Sequence, residues 1–297
     1  MHGKFTLNLL LTLGLATLTT ACLRAADNLL IATKYYWKVS AKTASGTVTK
    51  TGTFTTEDQT PRLLRIDTVP NVRDFGGHKT LDGRRVRQNR IFRTAGLNGN
   101  AKSAKDKPDG FIPGKNRLTP DGLRYVLGTL GVKSDIDLRS DTECRGMTGS
   151  PLGPTVTWFH YSSSAYDGMQ KPDGKAAFTK VFKVFLDEKN YPIVFHCIAG
   201  QDRTGSVAFI LNGLLGVPEE ELWLDWEYSG FWNENLSFSH RKCFNYLIKG
   251  FNTVPGQTMH EKIENYVLSL GFTKDDIAKF RGLMLEQPPA ANAKELK

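Results

Sequence analysis

Cysteine is scarce in this chain, with four residues among 297. Apart from Cys22 near the N-terminus, the set is Cys144, Cys197 and Cys243, and an odd number argues against a complete disulfide framework. A single bridge between Cys144 and Cys243 stays open, and it would leave Cys197 free. The cysteine content therefore argues against a disulfide-stapled scaffold.

The N-terminal apolar run is too short to span a membrane and is typical of an export signal. Residues 1–22 have a short basic start, an apolar centre from Leu9 to Leu18 and the ending Thr-Thr-Ala-Cys22. The ending resembles a bacterial lipoprotein cleavage site, in which Cys22 takes a lipid and becomes the mature N-terminus. Cleavage to a soluble secreted form is the alternative. We therefore expect an exported protein, either held at a membrane through Cys22 or secreted.

Acidic residues are outnumbered, with 30 Asp and Glu against 39 Lys and Arg and a formal charge of +9. A positive surface attracts anionic substrates and surfaces, and the cluster from Arg84 to Arg90 adds to it, although such a run is usually a solvated hairpin. The sequence lacks zinc-ligand spacing, an aromatic RNA-binding motif and a recognition-helix pattern. A nucleic-acid partner is therefore not expected.

The run HCIAGQDRTG, from His196 to Gly205, carries most of the chemical information. A short buried strand, Tyr191–His196, precedes it, and an apolar helix, Ser206–Leu215, follows it. Cys197 is thus predicted at a strand-to-helix junction. The first N–H groups of a helix have no partner within it, and the positive end of its dipole faces the same way. The junction therefore predicts an anion-binding loop that contains a nucleophile.

Each residue type in this loop suits phosphoryl transfer. Gly200 allows a tight turn, and Arg203 can hold two phosphate oxygens with its planar guanidinium group. The same field favours the thiolate of Cys197 over the thiol, and Thr204 can hydrogen-bond the sulfur. We predict that the phosphoryl group passes to sulfur and then to water. The predicted phosphate-binding residues are Ile198, Ala199, Gly200, Gln201, Asp202, Arg203 and Thr204.

The motif resembles the signature of the cysteine-dependent protein tyrosine phosphatases, which is His-Cys, five residues, Arg, and Ser or Thr. The ending GQDRTG is similar to the bacterial tyrosine and dual-specificity branch with Asp before the arginine, several members of which also act on phosphoinositides. That branch usually has Lys where this chain has Gln201. The resemblance implies an α/β fold with a mostly parallel central sheet flanked by helices, no metal or cofactor, and a phosphorylated protein, peptide or phosphoinositide as substrate.

Weaker segments follow the order of the same family over residues 61–287, the predicted catalytic domain. They are Asn71–Gly77, Ile91–Thr94, Asp137–Ser140 and Tyr266–Thr273. For Arg73 and Asp74 we hold two interpretations, one as part of the cavity wall and one as ordinary turn residues. Arg139 is expected to pair with buried acids at a strand end.

Three aspartates are candidates for the acid that protonates the leaving oxygen. Asp202 lies inside the signature, and Asp167 lies in a predicted loop after the strand Thr155–His160. Asp173, in the sequence KPDG, is a second loop candidate, although Asp next to Gly also marks a simple turn. We rank Asp202 first as the acid within the site and Asp167 first as a mobile acid.

Two other classes of protein stay open. A non-catalytic phosphate-binding surface module would use the loop without the chemistry. A rhodanese-like sulfurtransferase also has a loop cysteine, although its loop rarely ends in Arg-Thr-Gly. A cysteine that ends a strand can also be a small buried hydrophobe.

Residues 33–56 alternate like two strands around a Ser-Gly turn and predict a β-hairpin. They are similar to the last two strands of a fibronectin type III domain, which needs about seven. A lone hairpin is marginal in water, so it either packs on the catalytic domain or marks a truncated module. The predicted organisation is a signal at 1–22, the hairpin and linker at 23–60, the catalytic domain at 61–287 and a polar tail at 288–297.

Overall fold

A computed structural model describes residues 28–98, 118–144, 146–232 and 238–287 of the chain. The predicted signal with Cys22 and the tail at 288–297 lie outside these residues. In the described part, none of the helices has the length and hydrophobicity needed to cross a bilayer.

A five-stranded sheet organises the catalytic region. Its strands are β3 (Arg73–Asp74), β4 (Ile91–Thr94), β5 (Ser134–Asp137), β6 (Thr157–His160) and β7 (Ile193–His196). Their spatial order is β3-β4-β7-β5-β6, and every neighbouring pair is parallel except β3 with β4. The mostly parallel α/β fold is therefore confirmed.

The register of the parallel strands brings three strand ends together. His196 lies opposite Thr94 on one side and Asp137 on the other. The next residue, Cys197, therefore leaves the sheet at the centre of its carboxyl edge, where open α/β sheets bind ligands.

Seven α-helices are described, and two of their starts follow from the sequence. The Thr119 side chain accepts from the Gly122 N–H, and Thr273 forms a capping box with Asp276. The first helix continues as a π-helical turn over Tyr125–Thr129. The helices are α1 (Pro120–Arg124), α2 (Pro172–Phe185), α3 (Asp202–Leu214), α4 (Glu219–Tyr228), α5 (Phe238–Phe251), α6 (Met259–Ser269) and α7 (Lys274–Met284).

Both faces of the sheet are covered by apolar side chains. Phe195 joins the larger core, and Val194, the preceding residue of the same strand, joins the smaller one. In α3 every residue from Thr204 to Leu214 is buried. A helix buried on all sides has little freedom to shift, so it fixes the position of the loop that precedes it.

The predicted hairpin is confirmed as β1 (Lys34–Thr43) paired antiparallel with β2 (Gly46–Thr55). Its base is joined to the catalytic region, because the Ile31 N–H donates to Gln88 Oε1 at 2.9 Å. Farther out, Trp37 and Val48 are exposed. The likeness of this hairpin to a fibronectin type III fragment stays a prediction, as do the domain boundaries.

Candidate active site

The loop from Cys197 to Gln201 is wrapped tightly against β4. Gly200 has φ +66°, and a Cβ at this position would lie 2.3 Å from the Thr94 carbonyl oxygen. Only glycine fits both the left-handed conformation and the close approach. The chain turns here and enters α3 at Asp202, so the predicted helix is present but begins four residues before the expected Ser206.

The carbonyl groups of this loop are bound by the surrounding scaffold. Ile198 O accepts from the Gly96 N–H at 2.8 Å, Ala199 O from Asn71 Nδ2 at 2.9 Å, and Gly200 O from Arg93 Nη2 at 2.9 Å. None of the described hydrogen bonds is donated by the backbone N–H groups of these three loop residues. In each peptide unit the N–H points away from the C=O, so carbonyls that bind the scaffold turn the N–H groups of the loop toward its interior, an arrangement suited to an anion.

Cys197 begins this loop and is only 2% exposed. Burial raises the pKa of a thiol, but the positive charge of Arg203 and hydrogen bonds from Thr204 outweigh it and hold the pKa of Cys197 below its usual value. The buried Thr204 hydroxyl has no nitrogen or oxygen partner in the described part of the chain, so it is available to the sulfur. The site therefore favours a thiolate.

Arg203 is held by Glu143, a residue that the sequence analysis did not select. Its Nη1 lies 2.6 Å from Glu143 Oε2, and its Nη2 donates to Oε1 at 3.3 Å. Glu143 also accepts from the Ser140 N–H at 2.7 Å. The spacing Ser-x-x-Glu is a capping-box pattern that could have indicated an ordered carboxylate here, but not its partner.

His196 lies beneath the loop among buried charges. Its Nε2 is 3.1 Å from Asp135 Oδ1, and Asp137 forms a 2.6 Å ion pair with Arg139. Burial opposes protonation of His196, but the two aspartates raise its pKa. Arg139 is wholly buried and paired with an acid at the end of β5, as expected.

The three cysteines in the described residues are all free, so the Cys144–Cys243 bridge is absent. Cys144 Sγ donates to Asp137 Oδ2 at 3.3 Å. Burial and the Asp137 charge raise the pKa of the Cys144 thiol. Its chemistry is therefore the opposite of that at Cys197.

The candidate acids occupy three different environments. Asp202 is partly exposed at the first turn of α3, and burial together with a hydrogen bond to Asp202 raises the pKa of the Tyr166 phenol. Asp167 is exposed on the 3-10 turn Tyr166–Gln170, whose backbone packs against Gly250. Asp202 thus lies in the signature loop, whereas Asp167 is joined to this region through its neighbour Tyr166, whose N–H donates to Ser206 Oγ at 3.0 Å.

The loop predicted around Asp173 is wrong, because Asp173 is exposed in the first turn of α2. Pro172 occupies the first helical position, where its missing N–H costs nothing. Pro-Asp-Gly marks a helix start here, and the carboxylate lies where it favours the helix dipole.

Each of the two interpretations of the segment Asn71–Gly77 applies to one of its residues. Asp74 pairs with Arg62 and accepts from the Gly76 N–H at 2.7 Å, so it shapes the turn. Arg73 instead hydrogen-bonds Asn71, which holds the Ala199 carbonyl, and so supports the cavity wall.

A cavity of about 660 Å³ in the described part of the chain does not include the cysteine or the arginine of the signature. It is lined by Asn98, Met147, Pro151 and Trp158 among others. Within the described ranges, no group of three or more His, Cys, Asp or Glu side chains is placed to hold a metal ion.

Comparisons with known proteins agree with this chemistry. The model of the tyrosine phosphatase family matches residues 64–108 and 114–286. The chain is 35% identical over 130 residues to a tyrosine-protein phosphatase of Nostoc commune, covering 36% of this chain and 42% of that protein. It is 28% identical over 184 residues to a Cupriavidus necator protein assigned by inference to the same class, covering 54% and 60%. The chain thus spans less than two thirds of the length of both curated relatives.

Two solved structures are also similar. One is TpbA of P. aeruginosa, at 16% identity and a TM-score of 0.35, with 62% of this chain and 88% of that chain covered. The other is the core catalytic domain of the PP-IP phosphatase SIW14 of S. cerevisiae, at 14% identity and a TM-score of 0.33, with 58% and 85% covered.

Proposed function

We propose that this chain, which belongs to the tyrosine phosphatase family, hydrolyses phosphomonoesters through a phosphocysteine intermediate at Cys197. The observation that carries the proposal is the buried Cys197 sulfur with a lowered pKa, next to loop residues Ile198, Ala199 and Gly200, whose backbone N–H groups donate none of the hydrogen bonds found among the described residues. A sulfur held as an anion in an anion-binding loop suits attack on phosphorus.

The first step forms a sulfur–phosphorus bond and breaks the bond between phosphorus and the ester oxygen. Arg203 and the loop N–H groups bind the equatorial oxygens, where charge is spread in the transition state. Asp202 or Asp167 gives a proton to the leaving oxygen. In the second step water attacks phosphorus and gives a proton to the aspartate that was deprotonated in the first step, the sulfur–phosphorus bond breaks, the sulfur leaves as thiolate with help from the Thr204 hydroxyl, and inorganic phosphate is released.

For the substrate we propose a phosphotyrosine protein or peptide, with phosphoserine, phosphothreonine and phosphoinositides as the alternatives to be compared. The curated relatives are named tyrosine-protein phosphatases, which supports the first choice. Gln201 replaces the lysine usual in the branch with inositide activity, which removes a cation from the loop and disfavours the more highly charged lipid headgroups.

We also propose that the protein is exported and held at a membrane by a lipid on Cys22. The layout of residues 1–22 supports this. Mass analysis of the mature N-terminus of the expressed protein tests it, with Cys22→Ala as the comparison. A diacylated Cys22 is the expected result. An unmodified N-terminus that begins after residue 22 would contradict the lipid anchor and indicate the secreted form.

The test of activity is release of phosphate from an aryl phosphate and from phosphotyrosine peptides, with a metal chelator present. The wild type should be active, Cys197→Ser inactive, and Cys197→Ser should still bind phosphopeptide more tightly than Arg203→Ala. A wild type that binds phosphopeptide without turnover would favour the surface module. Sulfur transfer from thiosulfate to cyanide without phosphate release would favour the sulfurtransferase.

A further inference from the structure

Behind the phosphate loop, two buried arginines share one carboxylate. Arg73 on β3 and Arg93 on β4 are both 0% exposed, and both contact Asp225 on α4, which is 6% exposed. The group therefore holds two positive charges and one negative charge away from water. An unbalanced buried charge is costly unless another group offsets it.

The two arginines differ in how fully they are bound. Arg73 Nε lies 2.9 Å from Asp225 Oδ1, and its other nitrogens donate to the Asp225 carbonyl, Ser229 and Asn71. Arg93 donates one hydrogen bond to Asp225 and one to the Gly200 carbonyl at 2.9 Å, while its buried Nε has no partner among the described residues. The unbalanced charge is thus on the arginine that contacts the phosphate loop.

Arg93 is also close to the nucleophile through the sheet. It pairs in register with Phe195 on β7, two residues before Cys197. Its guanidinium group binds the Gly200 carbonyl of the loop, whereas Arg203 contacts Glu143. The loop that begins at Cys197 therefore contains the partly exposed Arg203 and is also contacted by Arg93, which is fully buried.

We propose that Arg93 is a positioning residue that stabilises the Cys197 thiolate from behind the loop and fixes the Gly200 carbonyl outward. The thiolate is the missing negative charge of the buried group. By linkage, the positive charge on Arg93 favours the Cys197 thiolate, and the thiolate favours the charged form of Arg93. This role deepens the proposed function, since it identifies a second cation that keeps the nucleophile ionised.

The electrostatics of the group agree with this geometry. Burial and the charge of Arg73 lower the pKa of Arg93 to about 9, while Asp225 and the ionised Cys197 oppose that change. Other charged groups also face the site. Arg203 lowers the pKa of Cys197 and Asp202 raises it, and His196 lies below among Asp135 and Asp137. The test must therefore separate Arg93 from these neighbours.

The experiment measures the rate of Cys197 alkylation by iodoacetamide against pH, followed by mass spectrometry of the peptide that contains Cys197. Arg93→Met removes the charge and keeps most of the side-chain volume, and Arg93→Lys keeps the charge. We expect Arg93→Met to raise the thiolate midpoint by about one pH unit, which slows alkylation about tenfold well below the midpoint. Arg93→Lys should restore most of the wild-type midpoint.

Asp225→Asn provides a variant of opposite sign, because it leaves both arginines without their carboxylate and should lower the midpoint. Glu264→Gln, which breaks the ion pair with Arg281 and keeps the bond from Arg281 to the Leu214 carbonyl, is the control and should change nothing. Alkylation needs no turnover, so the result stands apart from the test of phosphatase activity. If folded Arg93→Met keeps the wild-type midpoint, or if Arg93→Met and Asp225→Asn shift it in the same direction, Arg93 does not act on the thiolate. Should Arg93→Met fail to fold, Asp225→Asn and Arg93→Lys decide the question.

Discussion

Glu143 Oε2 lies 2.6 Å from Arg203 Nη1, and Oε1 accepts from Nη2, so the carboxylate grips the guanidinium group along one edge. The Glu143 side chain is 6% exposed, and that of Arg203 is 18% exposed. Burial opposes ionisation of both groups, but their pairing lowers the pKa of Glu143 and raises that of Arg203. The arginine is therefore charged and aimed before any phosphate arrives, which reduces the entropy lost on binding.

Glu143→Ala should weaken phosphate binding, because Arg203 then loses its orientation. We expect KM for an aryl phosphate to rise about tenfold or more, with a smaller fall in kcat. Glu143→Gln keeps the shape of the side chain and one hydrogen-bond acceptor. Its KM should therefore lie between that of the wild type and that of Glu143→Ala. Glu264→Gln is the control, since it loses a surface pair with Arg281. Unchanged steady-state kinetics of Glu143→Ala would mean that the pair does not orient Arg203.

Gly200→Ala should destabilise the protein and abolish activity. The added methyl group would meet the Thr94 carbonyl oxygen at 2.3 Å, and φ +66° is strained for alanine. We expect a loss of about 2 kcal/mol or more in the free energy of unfolding.

Gly131→Ala is the matched control for Gly200→Ala. Gly131 has φ +64° but nothing within 4 Å of the added Cβ, so it reports the backbone strain alone, about 1 kcal/mol. Urea unfolding of both variants measures the difference. Equal losses in the free energy of unfolding would show that the contact between the added methyl group at Gly200 and the Thr94 carbonyl does not affect stability.

The general acid should be identified by pH–rate profiles of three variants. Whichever of Asp202→Asn and Asp167→Asn removes the general acid should lose the limb of the pH–rate profile that requires a protonated acid. That variant should also have a kcat about 100-fold lower. Asp173→Asn should leave the profile unchanged, because its carboxylate lies at the start of α2. Loss of the limb in Asp173→Asn alone would contradict this placement. An aryl phosphate with a good leaving group should rescue the true acid variant.

Acid should destabilise the fold through Asp225. Burial opposes its ionisation, but Arg93 and Arg73 lower its pKa to about 2. A carboxyl group with a lowered folded-state pKa stabilises the native state above its unfolded pKa, about 4, and loses that contribution as pH falls toward 2.

The difference in unfolding free energy between wild type and Asp225→Asn should therefore be largest above pH 5 and shrink toward pH 2. Asp82→Asn serves as the control, because the Asp82 side chain is 53% exposed and its pair with Arg84 is screened by solvent. A difference that is constant between pH 6 and pH 3 would exclude Asp225 as a source of acid sensitivity.

The sequence predicted the parts of this site that are close together along the chain. Cys197, Gly200 and Arg203 lie within seven residues, and a buried strand and an apolar helix flank them. The contacts of Glu143, Asn71 and Asp225 could not be predicted in this way, because their partners are 60, 128 and 132 residues away. Asp173 was placed in a loop because Pro-Asp-Gly suits both a turn and a helix start, and only packing of α2 on the sheet decides between them.

The central claim is that Cys197 carries the phosphoryl group during turnover. Rapid acid quench of the wild type with a ³²P-labelled phosphotyrosine peptide, in the presence of a chelator, tests it most directly. We predict a covalent label on the peptide that contains Cys197, formed faster than phosphate is released and absent from Cys197→Ser. Turnover without such a label, or turnover that persists in Cys197→Ser, would contradict the account.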